Sequence, residues 1–347
     1  YLRELSAAGF SVSQAAQLIE FRYAATAEQF PTIAKLRAAR RLWARVLEAS
    51  GASAQMRIQA ITSRPMMGKY DPWVNMLRTT VAAFAAGVGG ADAVTVLPFD
   101  SRLGQPDAFG RRIARNTSSL LIEESHVAAV SDPAGGAYAV ERLTDDLAQA
   151  GWAELGRIES DGGVGTQSLV ALLERVGQVA AQRASGVADR SRPLTGISEF
   201  PNLGETLPQR APWSGPAAQP YGAAYEAMRE APAAGAVFLA TMGPIAAHTA
   251  RATFAANLFA AGGVAVESAG ATAGVDSVVA AYAGQRVVCL AGTDAAYAEW
   301  GPDLVAALRA AGASYVVLAG RPKGIEVDDS ASMGVDALAF LTRIREE

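Results

Sequence analysis

Short apolar runs alternate with longer stretches whose apolar residues recur every three or four positions. This alternation repeats along almost the whole chain. In the first 163 residues, runs at 17–22 (QLIEFR), 56–62 (MRIQAIT), 93–99 (AVTVLPF) and 127–132 (VAAVSD) predict strands. Each precedes a helix-period stretch, at about 28–49, 73–88, 106–125 and 138–161, and in the first of these Leu36, Ala39, Leu42 and Trp43 share a face. Gly89-Gly90, Asp71-Pro72 and Asp132-Pro133 punctuate the series as loops. Repeated strand–helix units without hairpins imply a parallel sheet. Four units make half of a (β/α)8 barrel, and a half barrel leaves two open edges. With no initiator Met at Tyr1, an N-terminal half that completes the barrel is expected outside this sequence.

A further helix is expected at 164–187. The stretch 188–233 holds seven of the sixteen prolines, which disfavours regular helix or a central strand and predicts a linker. The alternation then restarts. Strands are expected at 236–241, 263–267, 286–291 and 314–319, with helices at 248–261, 272–283, 300–311 and 335–346. The pattern predicts a doubly wound, flavodoxin-like domain over 234–347, whose ligand side is the carboxyl end of its strands.

Composition narrows the functional classes. Charged residues make up 18% of the chain, against about 25% in an average protein, which suits buried parallel strands. A net charge of −4 gives no footprint for nucleic acid. Lys35, Arg37, Arg40, Arg41 and Arg45 cluster on one helix, where a solvated or interface face is the expectation. No apolar run reaches the ~20 residues of a membrane helix. Cys289 is the only cysteine, so no disulfide forms within the chain, as in a reducing, cytoplasmic setting. Its surroundings, RVVCLAG, predict a small core residue rather than a nucleophile. Neither a dinucleotide fingerprint, a zinc-type Cys/His cluster nor a nucleophile elbow is present.

Four strings carry a family likeness: AKLRAARRLWARV (34–46), DPWVNMLRTT (71–80), RIARNT (112–117) followed by Ile122-Glu123-Glu124, and DPAGGAYAVERLT (132–144). In this order, on strand–helix units and ahead of a flavodoxin-like domain, they resemble the cobalamin-dependent methylmalonyl-CoA mutases. The resemblance implies a TIM barrel that binds acyl-CoA along its axis, followed by a domain that binds cobalamin. It thus implies residues 1–187 as the C-terminal half of the barrel and 234–347 as a cobalamin-binding-type domain.

The resemblance also implies where chemistry should sit, and there the residues differ. The family's catalytic His falls on Gln59, beside Arg57 at the family's Arg position. A second family His aligns with Thr95, and the loop Arg64-Pro65-Met66-Met67-Gly68 shares little with the family's active-site loop. A Gln can donate a hydrogen bond but supplies no proton near neutral pH. In the family's cobalt-binding motif the Asp position is Ile245 and the His position is Ala247. His248 lies one residue further on, in a segment that predicts continuous helix from Pro244, so a helix-surface role is expected. His126 is expected in a loop. Glu123-Glu124 stays open between a solvated helix end and the family's pair near the adenosyl group. Asp132 and Tyr138 are expected to be structural.

The resemblance therefore implies the non-catalytic small subunit of a heterodimeric methylmalonyl-CoA mutase, with no catalytic, cofactor-binding or metal-binding residue of its own. A homologous large subunit would bind adenosylcobalamin and carry the isomerisation of methylmalonyl-CoA to succinyl-CoA. Two alternatives stay open: an active acyl-CoA mutase with an altered site, and a mutase-like scaffold or regulatory protein.

Overall fold

The computed structural model describes residues 1–231, 233–322 and 324–347. The chain divides into two compact units: unit 1 comprises 1–178 and 208–220, and unit 2 comprises 179–207 and 221–347. Helices and parallel strands alternate in both, as the sequence pattern predicts.

Unit 1 opens with helices α1 (Leu2–Ala7) and α2 (Val12–Gln17), followed by β1 (Glu20–Ala25), α3 (Gln29–Ala49), β2 (Arg57–Thr62), a 3-10 turn at Arg64–Met66, α4 (Val74–Val88), β3 (Ala93–Thr95), α5 (Ala108–Ser119), a π-turn at Leu120–Glu124 and α6 (Tyr138–Ser160). α7 (Thr166–Ala188) spans the boundary between the units. The first strand begins later than the expected 17–22. Ser11 and Gln14 form a capping box that holds α2 through Gln17. β1, β2 and β3 form a three-stranded parallel sheet. Ile58, Ala60 and Thr62 are buried on one face of β2, while Arg57, Gln59 and Ile61 occupy the other, more open face.

The expected strand at 93–99 ends at Thr95, because the Leu97 amide donates to Thr62 Oγ1 (2.8 Å) instead of continuing the ladder. The expected strand at 127–132 does not form. His126 (φ 51°) and Asp132 (φ 47°) turn the backbone into the left-handed region at both ends, and Val130 is exposed. The basic residues of α3 divide: Arg41 and Arg45 stay largely exposed, while Arg37 and Arg40 are more covered. Arg37 pairs with Asp132 and with Glu141 (2.7 Å), Arg40 with Asp92 (2.8 Å), and Arg41 with Asp145 (2.7 Å). They fasten α3 to α6 and to the start of β3, and Gly151 leaves room for the Leu42 side chain between the two helices.

The stretch 188–233, expected to be a linker, is divided between the two units. It contains helix α8 (Ala223–Glu230), in the proline-free interval between Pro220 and Pro232, the latter outside the described residues. Tyr225 of α8 is fully buried. Residues 208–220 pack within unit 1: the Gln105 amide donates to the Ala211 carbonyl (2.7 Å), and Arg210 donates to the fully buried Asp100 (2.6 Å) and pairs with Asp107 (2.9 Å).

Unit 2 continues with β4 (Val237–Thr241), α9 (Ile245–Ala261), β5 (Val266–Ser268), α10 (Val275–Ala281), β6 (Val287–Ala291), α11 (Asp294–Ala310), β7 (Tyr315–Ala319), β8 (Asp329–Ala331) and α12 (Ala337–Glu346). The five strands are parallel in the order β5-β4-β6-β7-β8, the flavodoxin-like arrangement. Every residue of β4 and β6 is buried, between one core containing Phe259 and Phe340 and another containing Leu304 and Leu308. β8 has no apolar run, and the sequence pattern missed it. α11 starts six residues before the expected 300: Thr293 caps it through the Ala296 amide (3.1 Å), and Pro302 is carried inside the helix.

The Asp100–Arg210 pair yields a prediction. Arg210→Met strands a fully buried carboxylate and should lower stability by about 3–5 kcal/mol in urea unfolding. A loss below about 1 kcal/mol would mean that the pair behaves as a surface bridge.

Candidate functional site

The resemblance places chemistry in two regions: on the neighbouring strands β2 and β3 of unit 1, and at the carboxyl ends of the strands of unit 2. In unit 1, the structure brings Gln59 and Thr95 together: Gln59 Nε2 donates to Thr95 Oγ1 (3.2 Å) between neighbouring strands. The two positions that the resemblance assigns to family histidines are thus occupied by an amide and a hydroxyl that engage each other. Neither group titrates near neutral pH. Arg57 is tied to the Gln17 carbonyl.

The loop after β2 is pinned from inside. Asn75, fully buried, accepts from the Gly68 amide (2.9 Å) and donates to the carbonyls of Gly68 (2.8 Å) and Phe99 (2.9 Å). Met66 and Met67 turn into the core. Glu123 and Glu124 lie exposed in the π-turn, with no side-chain hydrogen bond or ion pair among the described residues. His126 is an exposed loop residue with φ 51°. Asp132 is structural, as the partner of Arg37, whereas Tyr138 starts α6 with an exposed ring.

In unit 2, β4 ends at Thr241, and Met242 after it is fully buried. Gly243 turns the chain at φ 89°, and Pro244 caps a helix that begins at once with Ile245. Ile245 is exposed and aliphatic, and Ala247 offers no donor atom. His248 does not lie on the helix surface as expected. It is buried, and its Nδ1–H donates to the Gly243 carbonyl (3.2 Å). A donor set of Ile, Ala and an inward-turned imidazole does not fit a cobalt ion approaching the strand ends.

The crevice beside β4, where order in the sheet reverses, is filled by the chain itself. Thr272 Oγ1 donates to the Thr241 carbonyl (2.8 Å) and accepts from the Gly243 amide (3.1 Å), while Thr241 Oγ1 donates to the Gly270 carbonyl (2.6 Å). At the ends of β6 and β7, Tyr297 Oη accepts from the Gly292 amide (3.1 Å) and donates to the Ala319 carbonyl (2.8 Å). Burial pushes this phenol up to about 12. The Arg251 guanidinium covers its ring at 4.9 Å, pairs with Asp294 and donates to the Gly292 carbonyl (2.6 Å). Pattern reading missed Arg251, Thr272 and Tyr297, because their contacts join segments up to 43 positions apart. Among the described residues no group of three or more His, Cys, Asp or Glu could hold a metal ion, and no helix is long and apolar enough to cross a membrane.

A three-stranded parallel-sheet unit and a flavodoxin-like unit define a two-unit α/β chain. The sequence pattern of methylmalonyl-CoA mutase matches residues 1–217, and the chain belongs to this family. It is similar to the "Methylmalonyl-CoA mutase small subunit" of Streptomyces virginiae, at 52% identity over 99% of this chain and 58% of that protein. The small subunit of Propionibacterium freudenreichii subsp. shermanii is 37% identical over 96% of the chain and 54% of that protein. The "Methylmalonyl-CoA mutase" of Escherichia coli is 32% identical over 58% of the chain and 29% of that protein. The chain thus spans little more than half the length of the small subunits that it matches.

Cys289 lies fully buried in β6, and burial raises its thiol from about 9 to about 12. At pH 8 the native thiol should therefore stay unmodified by a thiol-directed disulfide reagent and react fully only on unfolding. Because the raised pKa belongs to the folded state, its contribution to stability is complete below pH 9 and is lost as pH rises toward 12. Rapid native-state labelling at pH 8 would contradict this assignment.

Proposed function

We propose that this chain belongs to the non-catalytic small subunit of a heterodimeric, adenosylcobalamin-dependent methylmalonyl-CoA mutase. In this reading a homologous large subunit binds the coenzyme and isomerises methylmalonyl-CoA to succinyl-CoA, an intramolecular transfer. This chain supplies an interface that stabilises its partner, a contribution that requires no ligand of its own. Residues 1–187 represent the C-terminal half of a barrel domain, and 234–347 a cobalamin-binding-type domain that has lost its ligand. The likeness to proteins named small subunits supports the assignment, and a single buried thiol suits a cytoplasmic setting.

The observation that carries the reading is the closed carboxyl end of the second sheet. A helix starts immediately after Pro244, His248 is turned inward onto Gly243, and Thr272, Arg251 and Tyr297 occupy the strand ends. Opening this end to a ligand requires breaking several buried hydrogen bonds, each leaving a desolvated group unpaired at about 1–3 kcal/mol.

Titration of the chain with cobalamin should give no saturable change in the visible spectrum. Stoichiometric binding with a shift to imidazole ligation, abolished by His248→Ala, would overturn the reading of unit 2.

Co-expression of the full-length subunits should yield a heterodimer burying on the order of 2,000 Å² or more. The large subunit alone should be less stable to heat. Equal solubility, heat stability and activity of the large subunit alone, with no complex on size-exclusion chromatography, would refute the partner role.

A further inference from the structure

A cavity of about 290 Å³ in unit 1 borders the loop after β2 at Arg64, and neither Gln59 nor Thr95 lines it. Its walls are the turn after β2, the loop after β3 and the segment 208–220, so it lies beyond the carboxyl ends of parallel strands, the usual ligand side of α/β units. Arg64 and Arg102 line it, and none of its lining residues is acidic.

Trp213 forms a fixed platform in this cavity. Its Nε1–H donates to the Pro216 carbonyl (3.1 Å), and its ring lies over Gly215, where an added β-carbon would come within 2.2 Å of the ring. The Arg64 guanidinium stacks on the indole at 4.8 Å from the ring centroid. Stacking fixes the plane of a guanidinium and leaves its N–H edge available for hydrogen bonds. Among the described residues no acceptor takes up that edge. The third wall is held in place: Arg210 ties residues 208–220 to Asp100 and Asp107, and Gly104 lies so close to Ala211 that a β-carbon would come within 2.2 Å of its carbonyl oxygen.

We propose that this cavity binds a phosphate dianion, held by the Arg64 fork with Arg102 as the second cation. Two guanidinium groups suit a doubly charged tetrahedral oxyanion better than a carboxylate, which a single planar fork satisfies. The apolar wall of Leu103, Pro216 and Ala217 accommodates either free phosphate or the terminal phosphate of a small ester.

Because Arg64 stacks on Trp213, indole emission reports occupancy. The full chain is titrated with inorganic phosphate at constant ionic strength. A saturable change with a dissociation constant of about 1 mM or below is expected. Arg64→Met should weaken binding by about tenfold or more, with Arg64→Lys intermediate, and Arg102→Met should weaken it separately. Trp213→Phe should remove the optical signal while calorimetry still reads binding. Adenosine monophosphate binding more tightly than phosphate would identify an ester as the ligand, and equal affinity would identify free phosphate. Absence of saturation, a response that persists in both Arg64→Met and Arg102→Met, or acetate binding as tightly as phosphate would overturn the proposal. Unchanged thermal unfolding midpoints separate loss of binding from loss of fold.

Discussion

The hydroxyl of Tyr297 sits where two strands of the second sheet run out, and the closed shape of that unit depends on it. Parallel strands end in unpaired carbonyl and amide groups that must find a partner in a ligand, in water or in the chain itself. Here one phenol accepts from the Gly292 amide and donates to the Ala319 carbonyl, bridging the ends of β6 and β7. Arg251 seals its ring from above, and Thr272 performs the equivalent task at the end of β4. Helix α9 begins directly after Pro244, beside these satisfied strand ends.

The first unit shows the same economy of polar groups in a more open setting. Gln59 and Thr95 satisfy each other, and Asn75 ties the loop after β2 to the loop after β3. The buried Asp100 is neutralised by an arginine 110 positions away, which fastens residues 208–220 onto the unit. These contacts give rigid walls at the strand ends, and rigidity is what an interface or a small anion site requires, since binding then carries little ordering cost.

Much of this architecture was legible in the sequence. Seven of the eight expected strands appear, because continuous apolar runs such as Val287–Ala291 can be buried on both faces only inside a parallel sheet. The exceptions have local causes. The run at 127–132 is apolar, but His126 and Asp132 enter the left-handed region on either side of it. β8 is too short and polar to leave a periodic signal, and Pro302 disguised the first turns of α11. The proline density of 188–233 masked α8, which fits into the one long interval free of proline.

The sequence by itself determined the succession of helices and strands, the family likeness, and the residues at the positions where that family carries chemistry: Gln59, Thr95, Ile245 and Ala247. Those properties follow from local periodicity and residue type. Only the tertiary structure decided that His248 turns inward, that Gln59 meets Thr95 across two strands, that Arg37, Arg40 and Arg41 of α3 pair with distant carboxylates, and that Arg64 lies on Trp213. Each of these depends on groups distant in sequence competing for the same buried hydrogen bonds and cavities. A one-dimensional pattern carries no record of which partner wins.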